Sequence, residues 1–389
     1  MKMHKLFNTY NFTNFSITKG DGSYLFDNKG KKYLDFSAGV AVNALGYNHS
    51  VINRSIKDQL KTGIMHLSGS QLHKYKTDLA NILSKNSNKG DVFYSNSGAE
   101  SIETAMKIAR SVGSKNKKTQ IISMTSSFHG RTLGALSLGH NKNYKSNIGP
   151  IPGDVIFCNF NDSKDLKKKI NPNKTIAIII EFVQGDGGVN ICTKEFAKTI
   201  NDVCKKYKIL LIADEIQAGV GRTGKMFAYK NYLVSPDIIT MAKGLGSGIP
   251  IGATIIKSTI SKNFNIGFHG STYGGGMLQT RIAYNVFNFI NQKPFLTAVI
   301  EKSKILRSGL IKIKTEHSHI IKEVRILGLI CGLEFHEKNY ALKIFNTLMK
   351  KSLITTIVQG NTIRITPPLT VSKKEINEGL KIIASSLSL

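Results

Sequence analysis

The chain has few cysteines, four in 389 residues, and they do not form a metal or disulfide pattern. Cys158, Cys192, Cys204 and Cys331 lie far apart and contain no CxxC pair. This spacing argues against a zinc ribbon and against a disulfide framework, and it fits a reducing compartment. We therefore predict no metal site.

Long apolar runs are also lacking. The first twelve residues, "MKMHKLFNTYNF", contain no apolar run long enough for a signal peptide. The longest aliphatic runs, "IAIII" (176–180) and "ILLIA" (209–213), are far too short to span a membrane. These absences predict a cytoplasmic protein without a membrane partner.

Acidic residues are scarce: 25 Asp and Glu stand against 54 Lys and Arg, which gives a formal net charge of +29. One interpretation is a partner with many phosphates, such as a nucleic acid. The other is compositional drift, because the basic residues are scattered and no stretch alternates basic with aromatic residues. We favour drift and expect no nucleic-acid partner; a basic nucleic-acid-binding protein remains the non-enzyme alternative.

What the sequence does contain is a series of short Ile- and Val-rich runs that predict buried strands. They are "QIISM" (120–124), "DVIFC" (154–158), "TIAIIIEF" (175–182), "ILLIADE" (209–215), "DIITMAK" (237–243) and "IGATIIK" (251–257). Helical patterns such as 99–112 lie between some of them, so we predict an α/β domain with its site at the carboxyl ends of the strands.

The ends of the chain have a different pattern. Residues 20–39 alternate apolar and polar positions around "DNKG" and predict a β-hairpin. Amphipathic helices and two further strand patterns follow residue 290. We predict an N-terminal segment over 1–50 that packs with the small domain, a large α/β domain over 51–290 and a small α+β domain over 291–389.

Two charged residues stand at the ends of predicted buried strands. Asp214 follows four apolar residues, and Lys243 follows the strand pattern "DIITM". A buried carboxylate needs a cationic or hydrogen-bonding partner, because burial alone raises its pKa. By themselves these residues are equally compatible with a structural ion pair and with catalysis, and Asp214 with a helix N-cap.

A third element, "FYSNSGAES" (93–101), favours catalysis. It is a polar turn that leads into a predicted helix, where free backbone N–H groups bind phosphate, although such turns begin many helices. A phosphate cradle, an acid and a strand-end lysine are together what pyridoxal phosphate requires.

A fourth segment, "SSFHGRTLGALS" (126–137), brings an aromatic ring close to an arginine. Phe128 would lie on the cofactor ring, and Arg131 would hold a substrate carboxylate. Each of the two, taken alone, fits a core phenylalanine or a surface arginine better.

With these segments taken together, the chain resembles, almost from end to end, the class III (fold-type I) pyridoxal-phosphate aminotransferases, and within them those that act on acetylornithine. The resemblance rests on "SNSGAE", "FHGRT", "EFVQGDGG", "ADEIQAGVGRTGK", "PDIITMAKGLGSGIPIGA", "HGSTYGG" and "IRITPPL". It implies a large domain with a mostly parallel central sheet, a smaller α+β domain, pyridoxal phosphate as cofactor, and a homodimer whose active site is shared between subunits.

The resemblance also implies a reaction. The distal amino group of N2-acetylornithine would move to 2-oxoglutarate in a ping-pong mechanism, giving N-acetylglutamate 5-semialdehyde and glutamate, a step of arginine biosynthesis. The alternatives are class III enzymes for ornithine, succinylornithine, succinyldiaminopimelate or 4-aminobutyrate.

Each matching residue acquires an implied role. Lys243 is similar to the lysine that forms the Schiff base, and Asp214 to the acid that binds the pyridine nitrogen. The other implied cofactor contacts are Gly98, Ala99, Phe128, Glu215, Ile216, Gln217 and, from the neighbouring subunit, Thr272. The residues implied to bind substrate are Arg131, Ser271, Glu181 and Arg364.

The two substrates differ in their carboxylates, because glutamate has two and N-acetylornithine has one. The resemblance implies that Arg364 receives the α-carboxylate of glutamate and that Glu181 masks Arg364 when it is not needed. Ornithine aminotransferases have a bulky tyrosine where this chain has Val40, and a small residue there favours an acylated α-amine.

The chain departs from the family pattern at two places. In "EFVQGDGG", Phe182 replaces a proline and Asp186 a glutamate, and after "HGSTYGG" an Asn-Pro pair is replaced by Gly276 and Met277. Losing a proline at the start of a helix should loosen that start modestly. Neither change falls on a predicted cofactor contact, so transamination is still expected.

Overall fold

The computed structural model describes residues 5–7, 9, 10, 13 and 15–387. The remaining residues of the predicted N-terminal segment, and residues 388 and 389 of the predicted small domain, lie outside the described residues.

Strands and helices alternate through the middle of the chain. The strands are β1 Ile17–Asp21, β2 Tyr24–Asp27, β3 Lys32–Asp35, β4 Asp91–Ser95, β5 Gln120–Met124, β6 Asp154–Cys158, β7 Thr175–Ile180, β8 Val183–Gln184, β9 Asn190–Ile191, β10 Leu210–Asp214, β11 Ile238–Met241, β12 Gly252–Ile256, β13 Ile321–Leu327, β14 Ile330–Phe335, β15 Leu353–Ile354, β16 Thr356–Val358 and β17 Thr362–Ile365. The α-helices are α1 Ala38–Ala41, α2 Ser50–Leu60, α3 Lys74–Asn86, α4 Gly98–Ser114, α5 Leu133–Leu138, α6 Ser163–Lys169, α7 Lys194–Tyr207, α8 Ser258–Ser261, α9 Met277–Ile290, α10 Lys293–Glu316, α11 Lys338–Lys350 and α12 Lys373–Leu387. Short 3₁₀ turns cover Lys142–Lys145, Ala228–Asn231 and Lys243–Leu245.

The central sheet has seven strands in the order β4-β12-β11-β10-β7-β5-β6. Only β12 runs antiparallel to its neighbours, and the other pairings are parallel, which confirms the prediction of a mostly parallel sheet. All residues of β7 and β11 are buried. A sheet covered on both faces explains why these strands are continuous apolar runs.

The two faces of β7 belong to two hydrophobic clusters. Ile178 and Ile180 join the cluster that contains Phe196 of α7, whereas Ile179 joins the cluster that contains Ile102 of α4. Alternate residues of a strand point to opposite faces, so α4 and α7 cover opposite sides of the sheet.

Both ends of the chain form separate sheets. The predicted hairpin is confirmed, because β2 and β3 pair antiparallel around "DNKG". The N-terminal sheet has the order β1-β2-β3-β15, in which β15 pairs parallel with β3, and a C-terminal sheet has the order β13-β14-β17-β16. The α+β character of the C-terminal part follows, while the domain boundaries near residues 50 and 290 stay predictions.

The sheet brings two predicted residues to one edge. Asp214 is the last residue of β10, and Lys243 lies two residues beyond the end of β11. These strands are parallel neighbours, with Asp214 opposite Thr240, so their carboxyl ends lie side by side. Among the described residues, no helix has both the length and the apolar character needed to cross a bilayer.

Candidate active site

A cavity of about 440 Å³ opens at the carboxyl edge of the central sheet. Most of the predicted site residues line it, although they come from five separate stretches of sequence. These residues are Gly98, Ala99, Phe128, Arg131, Glu181, Asp214, Ile216, Gln217 and Lys243. The structure does not bring Glu215, Ser271, Thr272 or Arg364 into this lining.

Lys243 lies half-buried in the wall of the cavity. Burial lowers the pKa of its amine, although the carboxylates of Asp186, Asp214 and Glu181 oppose this effect. A lowered pKa increases the fraction of the uncharged, nucleophilic amine. The backbone of Lys243 lies in the left-handed region, at φ 44°, which is uncommon for a residue with a Cβ.

The carboxylate of Asp214 is held on both oxygens. Oδ2 lies 2.7 Å from Nδ1 of His129, and Oδ1 accepts the backbone N–H of Ile216 at 3.0 Å. His129 is itself buried, and its Nε2 has no partner in the described part of the chain. Sequence reasoning missed His129, because nothing in "FHGRT" indicates that its second residue faces an acid 85 positions later.

Helix α4 begins at the cavity with Gly98. The Oγ of Ser97 accepts the N–H of Glu100 at 3.2 Å, and the first N–H groups of a helix have no acceptor within it. A Cβ added to Gly98 would lie 3.0 Å from the side chain of Ile216, tighter than most real contacts. Glycine therefore keeps open a backbone cradle that suits a phosphate.

These features fit pyridoxal phosphate. The cavity combines the amine of Lys243, the fixed carboxylate of Asp214, an anion-binding helix start and the ring of Phe128. That ring is also held in place from outside the cavity, because Tyr144 packs edge-on against it with centroids 6.2 Å apart.

Arg364 does not pair with the predicted residue. Its Nη1 donates to Oδ1 of Asp186 at 2.7 Å and to Oε1 of Gln217 at 3.2 Å, and its Nε donates to Oγ1 of Thr356 at 3.0 Å. Burial raises the pKa of Asp186, but Arg364 and Lys243 outweigh burial, so the pKa lies below its usual value.

Glu181 has another contact. Its Oε2 accepts the backbone N–H of Phe128 at 3.0 Å, and burial together with Asp214 raises its pKa well above the usual value. Glu181 therefore does not contact Arg364 in this structure, and its masking role stays a prediction. Glu181 directly follows β7, whereas Asp186 lies in the turn between β8 and β9 and reaches the arginine from there.

Arg131 lies at the mouth of the cavity. Its guanidinium carbon stands 3.5 Å from the centroid of the Tyr144 ring, a cation–π contact that orients the group. Among the described residues, Val42 lines the cavity and Val40 does not, so the size argument made for Val40 needs correction. The chain turns through left-handed backbone at Val40 before it reaches the cavity.

The side chain of Glu215 points away from the cavity. Its two carboxylate oxygens accept the backbone N–H groups of Ala228 at 2.6 Å and Tyr229 at 2.8 Å. Burial raises the pKa of Glu215 to about 8 in spite of these bonds. This side chain holds the Ala228–Asn231 turn, and the predicted cofactor contact of Glu215 stays a prediction.

The "HGSTYGG" residues lie beside the cavity of this chain. The Oγ of Ser271 accepts from Nδ2 of Asn96, a lining residue, at 3.3 Å, and from the N–H of Gly274 at 3.0 Å. Thr272 is exposed. Phe182, the first departure from the family pattern, is buried and stacks on Tyr232 with centroids 5.1 Å apart, so it fills the core outside the cavity.

Comparisons with known proteins agree with this site. The family model "Aminotransferase class-III" matches residues 8–387. The acetylornithine aminotransferase of Clostridium acetobutylicum is 40% identical, with 100% of both chains covered. The acetylornithine/succinyldiaminopimelate aminotransferase of Buchnera aphidicola subsp. Schizaphis graminum is 41% identical, with 96% of this chain and 93% of that protein covered.

Solved structures agree as well. The ornithine aminotransferase of Toxoplasma gondii superimposes with a TM-score of 0.93 at 25% identity, covering 98% of this chain and 92% of that one. The match of the family model over nearly the whole chain, together with relatives of about 40% identity, shows that this chain belongs to the class III, pyridoxal-phosphate-dependent aminotransferases.

Proposed function

We propose that the enzyme moves the distal amino group of N2-acetylornithine to 2-oxoglutarate. This assignment rests on one observation: the two arginines at the site have different partners. Arg131 is free of carboxylate partners in the described residues, whereas Arg364 is paired with Asp186. One available and one masked arginine suit a donor with one carboxylate and an acceptor with two. Full-length relatives named for acetylornithine support the same donor.

The residues around the cavity would hold the cofactor. The N–H groups of Gly98 and Ala99 would bind its phosphate, Phe128 would stack on its ring, and Asp214 would bind its ring nitrogen. Pyridoxal phosphate, when bound, supplies an electron-accepting ring that stabilises negative charge at the substrate carbon. Lys243 would attach the cofactor through Nζ. Once the substrate amine has taken its place on the cofactor, the released Nζ would carry the proton to and from that carbon.

The substrates would enter with their reacting ends toward Lys243. N-acetylornithine would place its carboxylate on Arg131 and leave Arg364 paired with Asp186. The second carboxylate of 2-oxoglutarate or glutamate would displace Asp186 and bind Arg364 bidentately. Asp186 thus takes the masking role that the sequence assigned to Glu181.

A homodimer would complete this site. Ser271 and Thr272 border the cavity without lining it, and the neighbouring Tyr273 is 62% exposed. We infer that this segment contacts a second copy, with Thr272 reaching the phosphate of the partner subunit and Ser271 contacting substrate. The cytoplasmic location and the division into large and small domains belong to the same proposal.

The test is turnover by the purified holoenzyme. We expect glutamate to form from N-acetylornithine and 2-oxoglutarate, and the visible absorbance of the bound cofactor to change when N-acetylornithine is added alone. Ornithine and 4-aminobutyrate serve as competing donors. No turnover of N-acetylornithine, with turnover of either competitor, would refute the donor assignment.

A further inference from the structure

A second, larger cavity of about 910 Å³ lies outside the active-site cavity. Asp186 lines both, and the stack of Arg131 on Tyr144 joins them, because Arg131 lines the inner cavity and Tyr144 the outer one. The outer cavity therefore adjoins the active-site cavity at this shared wall.

The charges of the outer cavity are unbalanced. Arg364 and Asp186 neutralise one another. Burial lowers the pKa of His140, and two nearby lysines lower it further, so its ring is neutral near pH 7. Lys142 and Lys338 also line the wall. Within the described part of the chain neither of these lysines has an ion pair or a side-chain hydrogen bond, which leaves an excess of two positive charges.

These two lysines approach the opening from different parts of the fold. Lys142 begins the 3₁₀ turn that carries Tyr144. Lys338 begins α11, and its stem packs over Gly360, where an added Cβ would lie 3.3 Å from its Cδ. Glu337 precedes Lys338 in sequence but is not among the lining residues. We name Lys142 and Lys338 the entrance lysines.

We propose that the entrance lysines attract dianionic carboxylates into the active site and thereby favour a dicarboxylate acceptor over a monoanionic keto acid. A cleft lined by one sign of charge concentrates the field and raises the local concentration of the opposite charge. A dianion interacts twice as strongly as a monoanion with the same field. The proposal rests on the proposed function, because it concerns the acceptor that enters the same site.

The experiment compares two keto acids with the holoenzyme. The quantity measured is the ratio of kcat/KM for 2-oxoglutarate to kcat/KM for pyruvate, at about 0.02 M and about 0.5 M salt. For Lys142→Gln/Lys338→Gln we expect this ratio to fall about 3- to 10-fold at low salt, mainly through KM. The fall should largely disappear at high salt, because exposed charges are then screened.

The control is a double variant on α6, Lys167→Gln/Lys168→Gln, which removes two exposed charges away from the cavity. Both double variants lower the net charge equally. An equal fall in both variants would assign the effect to the overall charge of +29 and overturn the proposal, as would an unchanged ratio in the entrance variant.

Failure of the proposal and failure of the proposed function give different results. In a ping-pong mechanism kcat/KM for the acceptor does not depend on the amine donor, so the ratio is measured with whichever donor is accepted. If the ratio depends on the entrance lysines but N-acetylornithine is not turned over, only the assignment of the donor is refuted. Turnover of N-acetylornithine with an unchanged ratio refutes the role of the entrance lysines alone.

Discussion

Two buried arginines of this chain differ in what holds them. The guanidinium of Arg222, in the loop after β10, donates to the backbone carbonyls of Leu329 and Pro367. That of Arg364 donates to the side chains of Asp186, Gln217 and Thr356. Both are almost fully buried, at 2% and 3% exposure, so burial does not distinguish them.

The partners do distinguish them. Backbone carbonyls are fixed by the fold, so Arg222 acts as a permanent link between the loop after β10 and two C-terminal segments. Side-chain partners can rotate away, so an incoming carboxylate can replace Asp186 on Arg364. A buried arginine indicates a substrate site only when its partners can be exchanged.

The largest expected effect comes from removing the fixed arginine. Arg222→Ala leaves two buried carbonyls without donors, and we expect a loss of about 3–5 kcal/mol in the free energy of unfolding. The measurement is chemical denaturation of the purified protein. Arg222→Lys, which keeps the charge and one donor direction, should lose less. Equal stability of wild type and Arg222→Ala would contradict a structural link.

Glu215 holds another part of the loop after β10, through the N–H groups of Ala228 and Tyr229, and gives the stability a pH dependence. Its pKa is about 8 in the folded protein and 4.5 in the reference state. The folded state therefore holds the extra proton, and stability falls as pH rises from about 4.5 through about 8, by up to about 5 kcal/mol. We expect this fall to be smaller in Glu215→Gln, checked by thermal midpoints at several pH values; parallel pH curves would refute it.

The exchangeable arginine should affect the acceptor rather than the fold. Arg364→Ala is expected to lower kcat/KM for 2-oxoglutarate about 100- to 1000-fold, because a charged bidentate contact is lost. The half-reaction with N-acetylornithine should persist, since that donor uses Arg131. Single-turnover kinetics of each half-reaction decide, with Arg364→Lys as the control for charge. Equal losses in both half-reactions would show that Arg364 does not discriminate between them.

The masking of Arg364 by Asp186 can be tested by a smaller change. Asp186→Asn weakens the hold on Arg364, and we expect the preference for N-acetylornithine over glutamate as donor to fall about 10-fold, equivalent to about 1.4 kcal/mol. Glu181→Gln is the matched control, because Glu181 contacts Phe128 and not Arg364. If only Glu181→Gln shifts the preference, Glu181 rather than Asp186 masks Arg364.

The smallest effect concerns the start of α9. Met277 begins α9, and Gly276 before it provides no side-chain cap. Met277→Pro restores a residue suited to the first helical position and should raise the thermal midpoint by about 1–2 °C. Met277→Ala controls for loss of the methionine. A lower midpoint than in that control would show that the proline does not suit this helix start.

The sequence predicted the parts of the site that depend on local pattern. Apolar runs placed Asp214 and Lys243 at strand ends, and the polar turn before α4 marked the phosphate cradle, because strand and helix periodicity can be read from neighbouring residues. Fold class followed from the same alternation. His129, in the loop after β5, was missed because its role depends on a partner at the end of β10, and no periodicity encodes that contact.

By itself, the sequence determined which residues were available to the site, and the tertiary structure decided which of them meet. Glu181 and Asp186 are carboxylates five positions apart, and composition cannot choose between them. The path of the chain from β7 through the turn between β8 and β9 brings Asp186 to Arg364. Glu181 instead accepts a hydrogen bond from the N–H of Phe128. The physical reason is that an ion pair at 2.7 Å depends on the position of the backbone, which long-range packing fixes.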